Sequence, residues 1–404
     1  MSQRRAAVLV ASLLTAACVA STAAAQSAPP AEIDRGLKAA GDFSVVWGPR
    51  DADAFFNYTD YRHNLLRLAR LRLAAEWRVR RGVSFLGQVQ AENTDDVDVI
   101  AAYVRWRPWT HRGVVVQAGR IPPVVGAYAR RAYGADNAVI GSPLAYQYLT
   151  LLRNDALPET MDDVLRMRGR GWQPSFPVGS AALRPGVPLV SPRWDTGIEA
   201  SWRRSALEVS GAITMGAPSQ PRLRATNDGR QWSGRAAWHF PAGITAAVSG
   251  ARGSWLDRGV LALVAADRRR SSQSLVGADV EIGRGRWLLR SEWLRAGFDV
   301  PLASGPTAVA HLTAASAFAE LRYRPHPRWQ VGMRVERLAF SHVPNALDGG
   351  SLTPWDAPVS RIETVVGFRV LRTVDLRAGW QQDWRAGGRI RERGYPALQA
   401  LVRF

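Results

Sequence analysis

Residues 361–369 read Arg-Ile-Glu-Thr-Val-Val-Gly-Phe-Arg, with Arg361, Glu363 and Arg369 on one parity and Ile362, Thr364, Val366 and Phe368 on the other. Successive side chains of an extended chain point to opposite faces, so this stretch is a strand with one charged and one apolar face. Two other stretches repeat it. In residues 65–79, Leu71, Leu73, Ala75 and Trp77 oppose Arg70, Arg72, Glu76 and Arg78; in 328–338, Trp329, Val331, Met333 and Val335 oppose Gln330, Arg334 and Glu336. About sixteen such segments of roughly ten residues follow one another between residues 43 and 404, the length a tilted membrane strand needs.

Alternation also fits a soluble antiparallel sheet with one wet face. The connections separate the two. Short turns, such as Arg80-Arg81-Gly82, Pro241-Ala242 and Gly283-Arg284-Gly285, alternate with longer links, such as residues 48–64, 120–193, 254–273 and 339–359; residues 93–97 are the exception. Short turns on one side and long loops on the other belong to membrane barrels. The aromatics agree. Trp77, Phe85, Trp106, Trp202, Trp238, Phe240, Trp287, Tyr323, Trp329 and Phe368 lie close to short turns on the apolar parity, while Trp47, Trp232, Trp293 and Trp380 lie toward the long links. Two girdles at the two interfaces are expected of such a barrel. The fold class is therefore an all-β, transmembrane, antiparallel up-and-down barrel of about 16 strands with a long third extracellular loop.

Residues 1–25 have the form of a secretory signal: Arg4 and Arg5, an apolar run over 6–17, and Ala23-Ala24-Ala25 as cleavage site. Residues 26–42 are expected to be a periplasmic segment preceding the barrel at 43–404. Thr15-Ala16-Ala17-Cys18 is a poor lipobox. Cys18 is the only cysteine, so the exported chain holds neither a disulfide nor a cysteine-bound metal. The formal net charge is +19, carried almost wholly by arginine, since Lys38 is the only lysine. Export argues against a nucleic-acid partner and leaves anionic solutes or the phosphates of lipopolysaccharide. His63, His111, His239, His311, His326 and His342 lack metal-ligand spacing, and no Gly-x-Ser-x-Gly elbow occurs. No cofactor, metal or enzymatic activity is expected.

The chain closes Leu398-Gln399-Ala400-Leu401-Val402-Arg403-Phe404, alternating outward and ending on an aromatic. This resembles the last strand of Gram-negative outer-membrane barrels, which implies recognition by the barrel assembly machinery. Signal, strand count and terminal Phe404 together resemble sixteen-stranded porins. Gly119-Arg120-Ile121-Pro122-Pro123 with Gly126 is similar to an element of the porin O/P-like proteins. The anion sites of that family are lysine-rich, so phosphate specificity does not follow. The resemblance implies residence in the outer membrane among lipid and lipopolysaccharide, allows a homotrimer, and has the third loop, residues 120–193, fold inward as a constriction.

The expected lining is Arg70, Arg72, Arg105, Arg107, Arg235, Arg290, Arg334 and Arg361 on the wall, with Arg120, Arg130, Arg131 and Arg153 on the loop. Such a lining favours anions, although Arg334/Glu336 and Arg361/Glu363 can neutralise each other. The expected function is passive diffusion of small hydrophilic solutes with an anion preference. The alternatives are a closed structural or adhesive barrel and a selective transporter with an internal ligand site. On this reading Val366→Arg costs about 2–4 kcal/mol at the bilayer midplane, and Val365→Arg, facing the lumen, costs less.

Overall fold

A computed structural model describes residues 36–404 except 52–63, 94–96, 110–111, 131–135, 171–175, 183, 225, 228, 264–270, 306–307 and 389–390. The signal segment 1–25 and Arg131 lie outside the described residues. Sixteen antiparallel strands close into one barrel: β1 Gly36–Trp47, β2 Leu68–Arg80, β3 Val83–Glu92, β4 Val97–Trp106, β5 Val114–Ile121, β6 Asp195–Arg204, β7 Leu207–Thr214, β8 Gln231–Phe240, β9 Ile244–Ser254, β10 Ser272–Arg284, β11 Trp287–Pro301, β12 Val309–His326, β13 Trp329–Phe340, β14 Val359–Leu371, β15 Val374–Arg385 and β16 Glu392–Arg403. Closure is by β1 on β16, from Asp42 opposite Arg403 to Trp47 opposite Leu398. Among the described residues, no helix is long and apolar enough to cross a membrane.

The first strand begins at Gly36, not at Phe43 as the alternation suggests. Residues 36–42 are thus barrel wall, paired with β2 from Gly36 opposite Arg78 upward. The small residues Ala39, Ala40 and Gly41 carry too little contrast between faces to show the period.

The short turns work because glycine takes left-handed backbone there, as at Gly243 (φ 75°) and Gly285 (φ 59°). Above them the outward parity is apolar. Trp77, Trp106, Trp238, Trp287 and Trp329 are all exposed near the turns. Neighbouring strands bring them together in pairs: Trp287 stacks on Tyr323 at 4.0 Å between ring centroids, and Trp329 meets Phe368 at 4.8 Å. Large exposed tryptophans in a ring are costly in water and comfortable at a lipid interface. Trp47, Trp232, Trp293 and Trp380 form the opposite girdle.

Several strands run further than the alternation indicates, and there the two faces exchange character. On β11, Glu292 points inward, but Leu294, Ala296, Phe298 and Val300 beyond it are also inward and fully buried, while Arg295 is outward and exposed. On β13, Arg334 and Glu336 are followed inward by Leu338 and Phe340, with Arg337 outward. An apolar inner face has no reason to exist in a water-filled tube. It needs something to bury against, and the third loop supplies it.

Candidate functional site

The described residues of 122–194, between β5 and β6, form an insert that packs onto the inner wall. Its central stretch, from helix α1 Leu144–Gln147 through Leu152, is buried throughout. A second helix, α2 Met161–Arg166, is capped by Thr160, whose amide donates to Asp163 (2.9 Å). Leu144, Tyr146, Leu151, Leu157 and Leu189 join Leu294, Phe298, Leu312, Leu338 and Phe340 of the wall in one hydrophobic core. Burial of this kind is worth about 1.5–3 kcal/mol per large side chain.

Polar contacts set the register of the insert. Glu292 accepts from the amides of Ala127 (2.5 Å) and Tyr128 (3.2 Å) and from the Tyr146 hydroxyl (2.5 Å). Glu363 accepts from the amides of Ile140 (2.8 Å) and Gly141 (2.7 Å), and Glu336 from that of Leu144 (2.6 Å). Wall arginines donate to insert carbonyls: Arg361 to Ser142 (3.3 Å), Arg377 to Asn137 (3.1 Å) and Arg290 to Asp136 (2.6 Å). Further out, Asp356 of the β13–β14 link accepts from the amides of Leu151 (3.0 Å) and Gly169 (2.8 Å). Burial pushes the Asp356 carboxyl up, against the pull of Arg385. Burial likewise pushes the Tyr128 phenol up to about 12, and raises Tyr146, where Glu292 adds to the effect. These tyrosines stay neutral donors.

One glycine makes the close approach possible. A Cβ on Gly332 would stand 2.3 Å from the Ala138 carbonyl oxygen. Gly332→Ala is expected to push the insert off β13 and to cost about 1–3 kcal/mol, the range of overpacking. Reversible unfolding in detergent measures it, and an unchanged midpoint would mean the insert is not held there.

The expected lining arginines divide into three groups. Arg334 and Arg361 lie sealed under the insert, their side chains 0% and 1% exposed. Arg334 meets Glu336 (3.2 Å), Glu320 (3.5 Å) and Glu363 (3.0 Å), and Arg361 meets Asp383 (2.6 Å). Arg153 is buried inside the insert against Asp155 (2.8 Å), so it supports the loop from within. Arg290 lies at the edge of the insert, 2.9 Å from Glu281.

A second group stands on the inner faces of β2, β4 and β8, with Arg130 of the insert beside β6. Arg70 pairs with Glu92 (2.7 Å), Arg72 with Asp42, Arg235 with Asp279 (2.8 Å), and Arg105 with the Tyr103 hydroxyl (3.0 Å) and Glu76 (3.8 Å). Arg130 reaches Glu199 at 3.5 Å and the Pro123 carbonyl at 2.8 Å. Arg105 and Arg130 keep 23% and 29% exposure, as expected of groups beside water. In the third group, Arg120 is turned to backbone, donating to the carbonyls of Trp194 (3.1 Å) and Val99, and Arg107 lies in the β4–β5 turn.

Charge is least balanced elsewhere, at the end of the barrel with the short turns. Arg322 and Arg324 share the inner parity of β12, and neither side chain has a hydrogen bond or ion pair among the described residues. On the inner faces of the nearby β14 and β16 stand Arg369 and Arg403, with Asp375 of β15 held by Arg369 (3.1 Å) and Arg403 (2.9 Å). Arg324, Arg369 and Asp375 line one cavity. Arg403 was legible as inward, since Leu398, Ala400, Val402 and Phe404 alternate outward. Arg324 was hidden by the register shift that follows Tyr323. The anchors Glu292, Glu336 and Glu363 read as wall charges, and nothing local marks their partners, which lie more than a hundred residues away.

No protein-family model and no curated protein matches the sequence. Solved structures match across almost the whole chain. Outer-membrane expressed OmpT of Vibrio cholerae aligns over 94% of this chain and 99% of its own, at TM-score 0.55 and 9% identity. An anion-selective porin from Comamonas acidovorans aligns over 92% and 99%, at 0.53 and 11%. The outer membrane channel DcaP of Acinetobacter baumannii aligns over 94% and 100%, at 0.53 and 9%. The chain therefore has the porin-type fold of Gram-negative outer-membrane proteins.

Proposed function

We propose that the chain is an outer-membrane channel, not an enzyme, through which small hydrophilic solutes diffuse past the insert. The wall arginines Arg70, Arg72, Arg105 and Arg235 contribute little net charge, because the carboxylates beside them offset it. The anion preference comes instead from the short-turn mouth, where Arg322, Arg324, Arg369 and Arg403 outnumber the carboxylate Asp375. That imbalance is the observation that carries the reading, because fixed positive charge in a confined opening raises the local anion concentration. Phe404 closes the strand offered to the assembly machinery, and the subunit assembles as a homotrimer.

In planar bilayers under a chloride gradient, the zero-current potential should have the sign of an anion channel. It should weaken with salt as the screening length falls from about 10 Å at 0.1 M to about 3 Å at 1 M. Arg322→Ser with Arg324→Ser should move it toward zero. Arg120→Ser with Arg130→Ser should move it little, since both side chains are already committed to carbonyls and to Glu199. A cation-selective wild type would refute the preference. The hydrophobic core of the insert favours a second reading, a closed barrel, and absence of any conductance would select it.

A further inference from the structure

The exchange of faces near the long-loop end leaves three arginines on the outside of the barrel. On β9 the outward positions from the strand start are Ile244, Ala246, Val248, Gly250 and then Arg252; on β11 they are Trp287, Leu289, Ser291, Trp293 and then Arg295; on β13 they are Trp329, Val331, Met333, Val335 and then Arg337. Each arginine is the fifth outward position of its strand, so the three stand at one level on alternate strands of one face. Four outward steps span about 26 Å along a strand, or about 20 Å of height at a tilt near 40°. That places them close to the top of an apolar band about 25 Å tall.

All three are exposed. Arg337 donates to the Ser360 hydroxyl (2.6 Å) and Arg252 to that of Ser272 (3.3 Å), and none of the three has a carboxylate partner among the described residues. Their cross-strand neighbours are uncharged: Trp232 and Ser274 for Arg252, Val276 and Ala315 for Arg295, Ala317 and Ser360 for Arg337. The outward acid Asp299, near them among the described residues, is taken by Ser272 (2.6 Å) and His311 (2.6 Å).

We propose that this face docks the phosphorylated headgroup of the outer-leaflet glycolipid. Guanidinium groups fit phosphate oxygens in a two-point geometry. The arginines stand on the convex outer wall. Beneath them the same strands offer Trp293, Val335 and, two outward steps below Arg252, Val248 to acyl chains. The face is therefore a lipid face, and an interface with a second copy of the chain would have to use another part of the wall. The inference rests on the outer-membrane placement proposed above, but not on conduction.

The test uses the folded, full barrel in detergent, with lipid retention read by native mass spectrometry. Diphosphorylated lipid A should be retained at least tenfold better than its dephosphorylated form, and Arg252→Gln/Arg295→Gln/Arg337→Gln should abolish the difference. Arg295→Gln alone, a change at a fully outward position, should already reduce it, and the heat-dependent gel shift confirms that each variant is folded. Equal retention of both lipids, or no effect of the substitutions, overturns the proposal. Displacement by millimolar inorganic phosphate would mark a small-anion site and also overturns it, as does cross-linking between copies through this face. Conductance is measured on the same preparations. Lipid discrimination in a non-conducting barrel supports the docking site and removes only the channel; conduction without discrimination does the reverse.

Discussion

Val365→Arg should destabilise the protein by about 4 kcal/mol or more, whereas Val366→Arg, its immediate neighbour, should cost about 2 kcal/mol or less. The order is the reverse of what the alternation implies. Val365 faces inward, but not to water. It is 1% exposed and packs with Val139 and Ile140 of the insert and with Tyr395 and Ala397 of the wall. An arginine there would have to displace Ile140 and bury an unpaired charge. Val366 is outward and 49% exposed, one outward step from the girdle residue Phe368. A long side chain at that depth can reach the interface, so the full midplane penalty does not apply. Unfolding midpoints of the two variants in lipid vesicles decide the matter. A milder effect at Val365 would mean that the insert does not press on β14.

Arg334→Leu should cost about 3–5 kcal/mol, the scale of breaking a buried ion pair by removing one partner. The loss leaves Glu320, Glu336 and Glu363 together without the cation that meets all three. Glu336 and Glu363 also hold the amides of Leu144, Ile140 and Gly141, so the insert should loosen as well as the wall. Single-channel records should show larger and noisier openings. Ion selectivity should change little, because this site is sealed from the passage. Adding Glu363→Gln to the variant should recover part of the stability by lowering the repulsion. Unchanged stability in Arg334→Leu would show that the three carboxylates are satisfied without it.

These two expectations mark where local sequence stops being informative. The barrel itself was legible. Strand count, closure of the first strand on the last, the two aromatic girdles and the sorting of links by length follow from a period of two residues and from turn chemistry, both of which act within one hairpin. The strand ends were less so: residues 36–42 are too small to show contrast, and beyond Leu294 and Leu338 the inner face turns apolar. The lining was legible only as a set of inward charges. Whether an inward arginine meets water, a carboxylate or a buried carbonyl depends on which residues arrive opposite it. Arg334 and Arg361 were expected in the passage and are covered by the insert; Arg153 was expected there and braces the insert from inside; Arg324 was passed over and stands open at the mouth.

By itself, then, the sequence determined a sixteen-stranded transmembrane barrel, its inner and outer parities and its basic character, because each of these is set by neighbours two residues apart or across one tight turn. Only the tertiary structure decided which inward residues the insert covers, which arginines remain uncompensated and which face of the wall carries the outward arginines at one level. Those depend on contacts across a closed ring, between residues 122–194 and strands more than a hundred positions later, and no local pattern encodes them.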